Sequence, residues 1–270
     1  MRNINSDLLH THLVMNGRRF PNYNRVYYHS NENLKELFSF IDVKDKDVLS
    51  VLASGDQVFH FYANGAKKVE TFDVNRLTFY YYYIRLWTLK YIGEYYPEHK
   101  FSINFLRNLL GKVKIRSEEE KEAFDYWCKY IDLFNDKLSG KLFYRGILED
   151  INRIDDLSII RDKINNEFVF HEMNLGDKNL PVKKKYDMLY VSNISDYIPH
   201  NISSFELYRN NLNNLIRDDG AIVSVNLRKL GFGEKDIEKE VFSELFDVEE
   251  LDEIDRYDFR MSAGKIYRKK

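Results

Sequence analysis

DVLSVLASGDQVFHFYANGAKKVETFDVN, residues 47–75, is the stretch on which the fold of this chain turns. Val48 to Leu52 is an apolar run long enough for a parallel strand buried on both faces. Ala53, Ser54 and Gly55 follow, small residues that let a backbone come close to a ligand. The pattern predicts a helix from Asp56, packing through Val58, Phe59 and Tyr62, and a turn at Asn64-Gly65 into a second strand, Lys68 to Phe72. Asp73 stands at the carboxyl end of that strand, 18 residues after Gly55. That is near the spacing at which a carboxylate accepts hydrogen bonds from ribose hydroxyls. Strand, glycine turn, helix, strand and acid form the start of a nucleotide-binding βαβ unit. The plainer alternative, that any doubly wound protein contains such a unit, stays open at this point.

A loop with one glycine departs from the three-glycine dinucleotide pattern. Ser54-Gly55-Asp56-Gln57 is better matched to S-adenosylmethionine, which has no pyrophosphate to seat on a helix terminus and would serve as donor substrate.

The chain of 270 residues is long enough for one large α/β domain or for a core with an inserted subdomain. Lys and Arg number 41 against 43 Asp and Glu, so a net charge of −2 exerts no overall pull on nucleic acid or an anionic membrane. The single Cys128 cannot close an internal disulfide, and no basic-then-apolar leader or long apolar span stands out. The chain therefore reads as soluble and cytoplasmic, with peripheral membrane contact left open and oligomeric state unspecified. No metal is expected, because His10-Thr-His12 has no downstream cluster to complete a ligand set. Twenty Tyr and 19 Phe exceed what core filling demands and suggest apolar pockets with hydroxyl-bearing rims.

Ahead of the first strand, Leu34, Leu37, Phe38 and Ile41 follow helical spacing, and Ser30 or Asn31 is placed to cap that helix. Its amino-terminal end can fold over the mouth of a site and bring Tyr23, Tyr27, Tyr28 and Glu32 within reach; tyrosines packed on a sheet edge are the equal alternative. After Asp73 the next convincing strand is Glu167 to His171, more than ninety residues on, where one crossover helix would suffice. The interval is helical, with one stripe through Leu77, Tyr80, Ile84, Trp87 and Tyr91 and another through Phe124, Trp127, Cys128, Ile131, Phe134 and Leu138. Tyr80 to Tyr83 cannot all face one side of a helix. Ser117-Glu-Glu-Glu120 fits a capping box. Later strands are expected at Tyr186 to Val191, Ala221 to Val225, Asp247 to Leu251 and Phe259 to Tyr267, with a helix over Glu234 to Phe246. The expected fold is α/β: a doubly wound, mostly parallel, methyltransferase-like sheet with a helical insert between its second and third strands. Its divisions are 1–76 (lead-in and first half of the core), 77–165 (insert, a lid carrying acceptor specificity) and 166–270 (second half). Ser192, Asn193 and Asp196 end the Tyr186 strand and so face the crevice where such sheets bind ligands.

SGDQ at 54–57, FDVN at 72–75, SNISDY at 192–197 and the lead-in RVYYHSNENL at 25–34 together resemble a family of adenosylmethionine-binding proteins. That family includes the betaine-lipid enzyme that moves a 3-amino-3-carboxypropyl group from adenosylmethionine to diacylglycerol. The likeness extends into the insert, through FLRNLLG at 105–111, Trp127 and LFYR at 142–145. It implies a transferase acting on a small-molecule or lipid acceptor, with methyl transfer and cofactor binding without chemistry as the alternatives. It further implies that Ser54, Gly55, Asp56 and Gln57 border the methionine portion, that Asp73 holds the ribose with Asn75 behind it, and that Asn174 lies near adenine. Asp196, His171 or a tyrosine such as Tyr28 would take the acceptor's proton.

Overall fold

The computed structural model describes residues 26–27, 30, 32–93, 102–131, 143–144, 154, 157–164, 168–192, 194–226, 237–254 and 262–270. The strands are β1 (Val26–Tyr27), β2 (Asp47–Val51), β3 (Lys68–Asp73), β4 (Phe143–Tyr144), β5 (Val169–Glu172), β6 (Tyr186–Ser192), β7 (Ile216–Asn226), β8 (Phe246–Ile254) and β9 (Ser262–Lys269). The helices are α1 (Leu34–Phe40), α2 (Asp56–Ala63), α3 (Arg76–Trp87), α4 (Ile103–Leu110), α5 (Glu118–Tyr130), α6 (Leu157–Ile164), α7 (Ile202–Leu215) and α8 (Ile237–Phe242).

Seven strands form one sheet in the order β5-β3-β2-β6-β7-β9-β8. β5, β3, β2, β6 and β7 run parallel, and β9 lies antiparallel between β7 and β8. This is the expected doubly wound sheet. From β2 the chain moves outward to β3 and β5, and from β6 outward the other way to β7. The β2–β6 boundary is therefore the switch point, outside whose carboxyl ends such sheets bind ligands. Val48, Leu49 and Leu52 are almost fully buried, as a central parallel strand requires.

The insert lies between β3 and β5. In α3 every residue from Leu77 to Trp87 is buried, so Tyr80 to Tyr83 are all covered and none looks out to solvent. A helix apolar on all sides is one enclosed on all sides. Tyr82 stacks on Phe168 with ring centroids 4.4 Å apart, and Tyr80 on Tyr126 at 3.9 Å. The Tyr80 hydroxyl donates to Glu122 at 2.9 Å, and the Trp127 indole N–H donates to the Tyr80 carbonyl at 2.9 Å, which ties α5 to α3. Ser117 caps α5, while Glu120 reaches back to the Arg116 N–H and completes the expected box one residue early. A short parallel pairing, Val26 to Phe143 and Tyr27 to Tyr144, joins the lead-in to the insert; no pattern in either segment announced it.

Several expectations are corrected. Asn33 caps α1 in place of Ser30, whose hydroxyl instead accepts from the Glu32 N–H and Gln57 Nε2, and Asn31 lies outside the described residues. Cys128 is exposed, off the buried stripe that contains Trp127. The strand expected over 167–171 runs from Val169 to Glu172, and the helix expected over 234–246 ends at Phe242, with 234–236 outside the described residues. β7 begins at Ile216, ahead of the strand start expected at Ala221: Ile216 pairs with Tyr186, and the register jumps so that Ala221 pairs with Met188. Gly220 permits this, since a Cβ there would lie 2.6 Å from Ile216 Cδ1 and 3.0 Å from the Asp187 carbonyl. No described helix is long and apolar enough to cross a membrane. Gly220→Ala is expected to lower stability in urea denaturation by about 1–3 kcal/mol, the usual cost of overpacking.

Candidate ligand-binding site

β2 and β3 both stop where the chain must turn, and their carboxyl ends open into a cavity of about 330 Å³. Its floor is Val51, Ala53, Phe72 and Asp73; Asn75 and Thr78 of the α3 start form one side. Met173, Leu175 and Gly176 from the loop after β5, and Ile194, Tyr197 and Ile198 from the turn after β6, supply apolar walls opposite. The lining suits a flat, partly apolar ring held at one edge by polar atoms.

Asp73 is the acid in that wall. Its Oδ2 accepts from the Ala53 N–H at 3.1 Å and its Oδ1 from the Asn75 N–H at 2.9 Å. Burial pushes its pKa up to about 6, against the opposing pull of those two backbone donors. Asn75 also caps α3 by accepting from the Leu77 N–H at 3.0 Å, so one residue fixes both helix start and acid. Ala53 sits at φ 44°, in the left-handed region that a non-glycine residue occupies only under constraint.

Ser54, Gly55, Asp56 and Gln57 do not line this cavity. They lie in a buried network behind it. Arg85 of α3, wholly buried, pairs with Asp56 at 2.7 Å and donates to the Ser54 carbonyl at 2.7 Å. The other Asp56 oxygen accepts from the Ser54 hydroxyl at 2.9 Å and from the Ser30 N–H at 2.5 Å, which docks the lead-in onto the glycine loop. Gly55 has φ 84°, and a Cβ there would meet Tyr82 Cδ2 at 2.7 Å, so the tyrosine helix as well as the turn demands glycine.

Asn174 lines the cavity, with its Oδ1 accepting from the Gly176 N–H at 2.9 Å. Ser192, at φ 48°, donates its hydroxyl to Glu32, as does Tyr190. His171 is outside the lining; its Nε2 lies 3.1 Å from Glu70, which also binds Tyr186 and Lys184. Asp196 is in the turn Ile194–Tyr197. Tyr23, Tyr28, Asn193, His10 and His12 lie outside the described residues, as does the side chain of Asp196. Among the described residues no three His, Cys, Asp or Glu side chains gather as a metal site.

Sequence reasoning missed Arg85 and the apolar wall. Arg85 had a signal, an arginine inside an otherwise apolar helix, which has to find a buried partner. Asn174 was singled out in the loop after β5, but its apolar neighbours Met173 and Leu175 had no signal, because only the fold brings them over Asp73.

Comparison with protein-family models and with curated proteins finds no match to this chain. Among solved structures it is similar to the ribosomal protein L11 methylase of Lactobacillus delbrueckii subsp. bulgaricus, at 13% identity and TM-score 0.40, over 88% of this chain and 77% of that one. It is similar to TehB of Haemophilus influenzae, at 13% and 0.43, over 88% of this chain but only 62%, less than two thirds, of that one. A TehB-like SAM-dependent methyltransferase of Corynebacterium glutamicum is similar at 10% and 0.43, over 92% and 90%. With TM-scores below 0.5, these likenesses add nothing to what the strand order already says.

Arg85→Met strands the Asp56 carboxylate in the interior, and chemical denaturation is expected to show a loss of about 3–5 kcal/mol, partly restored in the Asp56→Asn/Arg85→Met double variant.

Proposed function

We propose that this chain is an S-adenosylmethionine-dependent transferase that moves the 3-amino-3-carboxypropyl group to an oxygen or nitrogen of a small-molecule or lipid acceptor. The observation that carries the reading is the Asp73 carboxylate, set by two backbone N–H groups in the wall of a cavity at the carboxyl ends of β2 and β3. A carboxylate there accepts hydrogen bonds from ribose hydroxyls, and the apolar wall of Met173, Leu175 and Ile198 covers a purine face. The single-glycine loop supports adenosylmethionine over a dinucleotide, and the motif resemblance supports aminocarboxypropyl over methyl transfer.

In the transfer, an acceptor lone pair forms a bond to the γ-carbon of the aminocarboxypropyl chain while the carbon–sulfur bond breaks. The electron pair stays on sulfur, and neutral methylthioadenosine leaves. The acceptor's proton goes to a base, for which we favour Asp196, in the turn whose Ile194 and Tyr197 border the cavity. Methyl transfer uses the same site with a different carbon in line, so the product names the reaction.

Incubation with adenosylmethionine and cell extract is expected to yield methylthioadenosine by mass spectrometry; adenosylhomocysteine would instead establish methyl transfer, and binding with neither product a non-catalytic binder. Asp73→Ala is expected to weaken adenosylmethionine binding by about 1–3 kcal/mol in calorimetry, since ligand hydroxyls lose their acceptor. The acid must be ionised to accept from both hydroxyls, and it ionises at about 6. Affinity should therefore hold above that pH and fall as pH drops through it, a step absent from Asp73→Ala.

A further inference from the structure

The loop after β5 is held at both ends. At its start the Met173 N–H donates to the Asp73 carbonyl at 3.2 Å, so the loop leaves the sheet beside the residue that carries the cavity's acid. Its far end is tied to α7. Asn211, buried in that helix, donates its amide N–H bonds to the Leu175 carbonyl at 2.7 Å and to the Asp177 carbonyl at 2.8 Å. Two carbonyl acceptors decide which way the amide is turned, because its oxygen in the nitrogen's place would face oxygen on both sides. Ser204 and Leu207, which line the cavity, stand seven and four residues before Asn211 and share its face of the helix. Asparagine is a poor helix former and needs partners when buried, so its place among Tyr208, Leu212 and Leu215 is accounted for by the two carbonyls it holds.

One of those carbonyls sets a peptide plane. In a trans peptide the C=O and the N–H point opposite ways, so turning the Leu175 carbonyl onto α7 turns the Gly176 N–H away from it. That N–H donates to Asn174 Oδ1 at 2.9 Å, and the Asp177 N–H donates to the Asn174 carbonyl at 3.0 Å. With its oxygen engaged in this way, the Asn174 side chain on the cavity lining keeps an amide nitrogen that has no hydrogen-bond partner among the described residues. A nitrogen that only donates calls for an acceptor. A 6-aminopurine offers a bare ring nitrogen at the position where a 6-oxopurine carries an N–H.

We infer that Asn211 is a positioning residue for base selection: through the Leu175–Gly176 peptide it sets the Asn174 amide so that its nitrogen meets the bound base, which favours a 6-aminopurine over a 6-oxopurine. The inference rests on the adenosylmethionine reading and deepens it, by naming what orders the wall against which the base lies. Asn211 does not line the cavity and acts only through the loop.

The test is calorimetric titration of the full chain with 5′-methylthioadenosine and 5′-methylthioinosine, which differ only at the base, for wild type, Asn211→Leu, Asn174→Ala and the double variant. Adenosylmethionine is a third probe for wild type. Wild type is expected to prefer the aminopurine by about tenfold or more, the effect of one hydrogen bond made or lost. Asn211→Leu is expected to bring that preference to within about threefold, as Asn174→Ala does, and the double variant to do no more than either alone, because both act on one contact. A lower melting temperature with the preference intact marks a merely structural role and overturns the assignment. So does wild type that binds both nucleosides alike, or losses that add in the double variant. If Asn211→Leu fails to fold, Asn211→Ser, which has one donor for two carbonyls, is expected to lose part of the preference, and full retention overturns the assignment. Wild type that binds neither adenosylmethionine nor methylthioadenosine overturns the adenosylmethionine reading itself, whereas wild type that binds both, with a preference that no Asn211 variant changes, overturns only the role of Asn211.

Discussion

The ion pair between Arg85 and Asp56 is the interaction on which the site depends. Both side chains are fully removed from water, so each charge carries a desolvation cost that only the other, with several hydrogen bonds, can offset. The bonds are there: Arg85 holds the Ser54 carbonyl and lies 4.9 Å over the Phe59 ring, and Asp56 holds the Ser54 hydroxyl and the Ser30 N–H. Three parts of the chain, the lead-in, the glycine loop and the tyrosine helix α3, thus share one electrostatic knot. A loop so fixed costs little further ordering when a ligand arrives.

Strand β3 carries two acids with opposite fates. Burial works to raise both. At Glu70 it is outweighed by hydrogen bonds from Tyr186, His171, Lys184 and Lys68, which hold the carboxyl at about 2. At Asp73 burial wins, because the opposing hydrogen bonds come from neutral donors, chiefly the backbone N–H groups of Asn75 and Ala53. Glu70 and its partners are an ion-pair network that ties β3 to β5 and β6, which accounts for His171 without chemistry. Asp73 is left poised near neutrality in a cavity wall, the pattern expected of a group waiting for a ligand's donors.

The aromatic richness has two explanations that separate along the chain. Tyr80 to Tyr83 are core, enclosed by Phe59, Phe168, Tyr126 and Trp127, and they bind the insert to the sheet. Tyr197, about two-fifths exposed, is a tyrosine that borders the cavity. Tyr190, wholly buried, spends its hydroxyl on Glu32. Composition alone had no means of telling these roles apart, since all are tyrosines in apolar surroundings.

What the sequence determined by itself is whatever follows from short-range periodicity and turn chemistry. The apolar run from Val48 to Leu52, the glycine turn, the acid at 73 and the late third strand are local, and they were enough for a doubly wound sheet with an insert and for Asp73 in its wall. Ser54, Asp56 and Gln57 were picked out because they surround that turn, but which way they point was not legible. Their partners, Arg85 at a separation of 29 residues from Asp56 and Glu32 at 158 from Tyr190, come from elements that only packing brings together. The same holds for the wall from Met173 to Ile198, and for the register jump that lets β7 start at Ile216. Tertiary structure decided these because burying a charge or an apolar ring requires a specific neighbour, and a neighbour distant in sequence leaves no periodic trace.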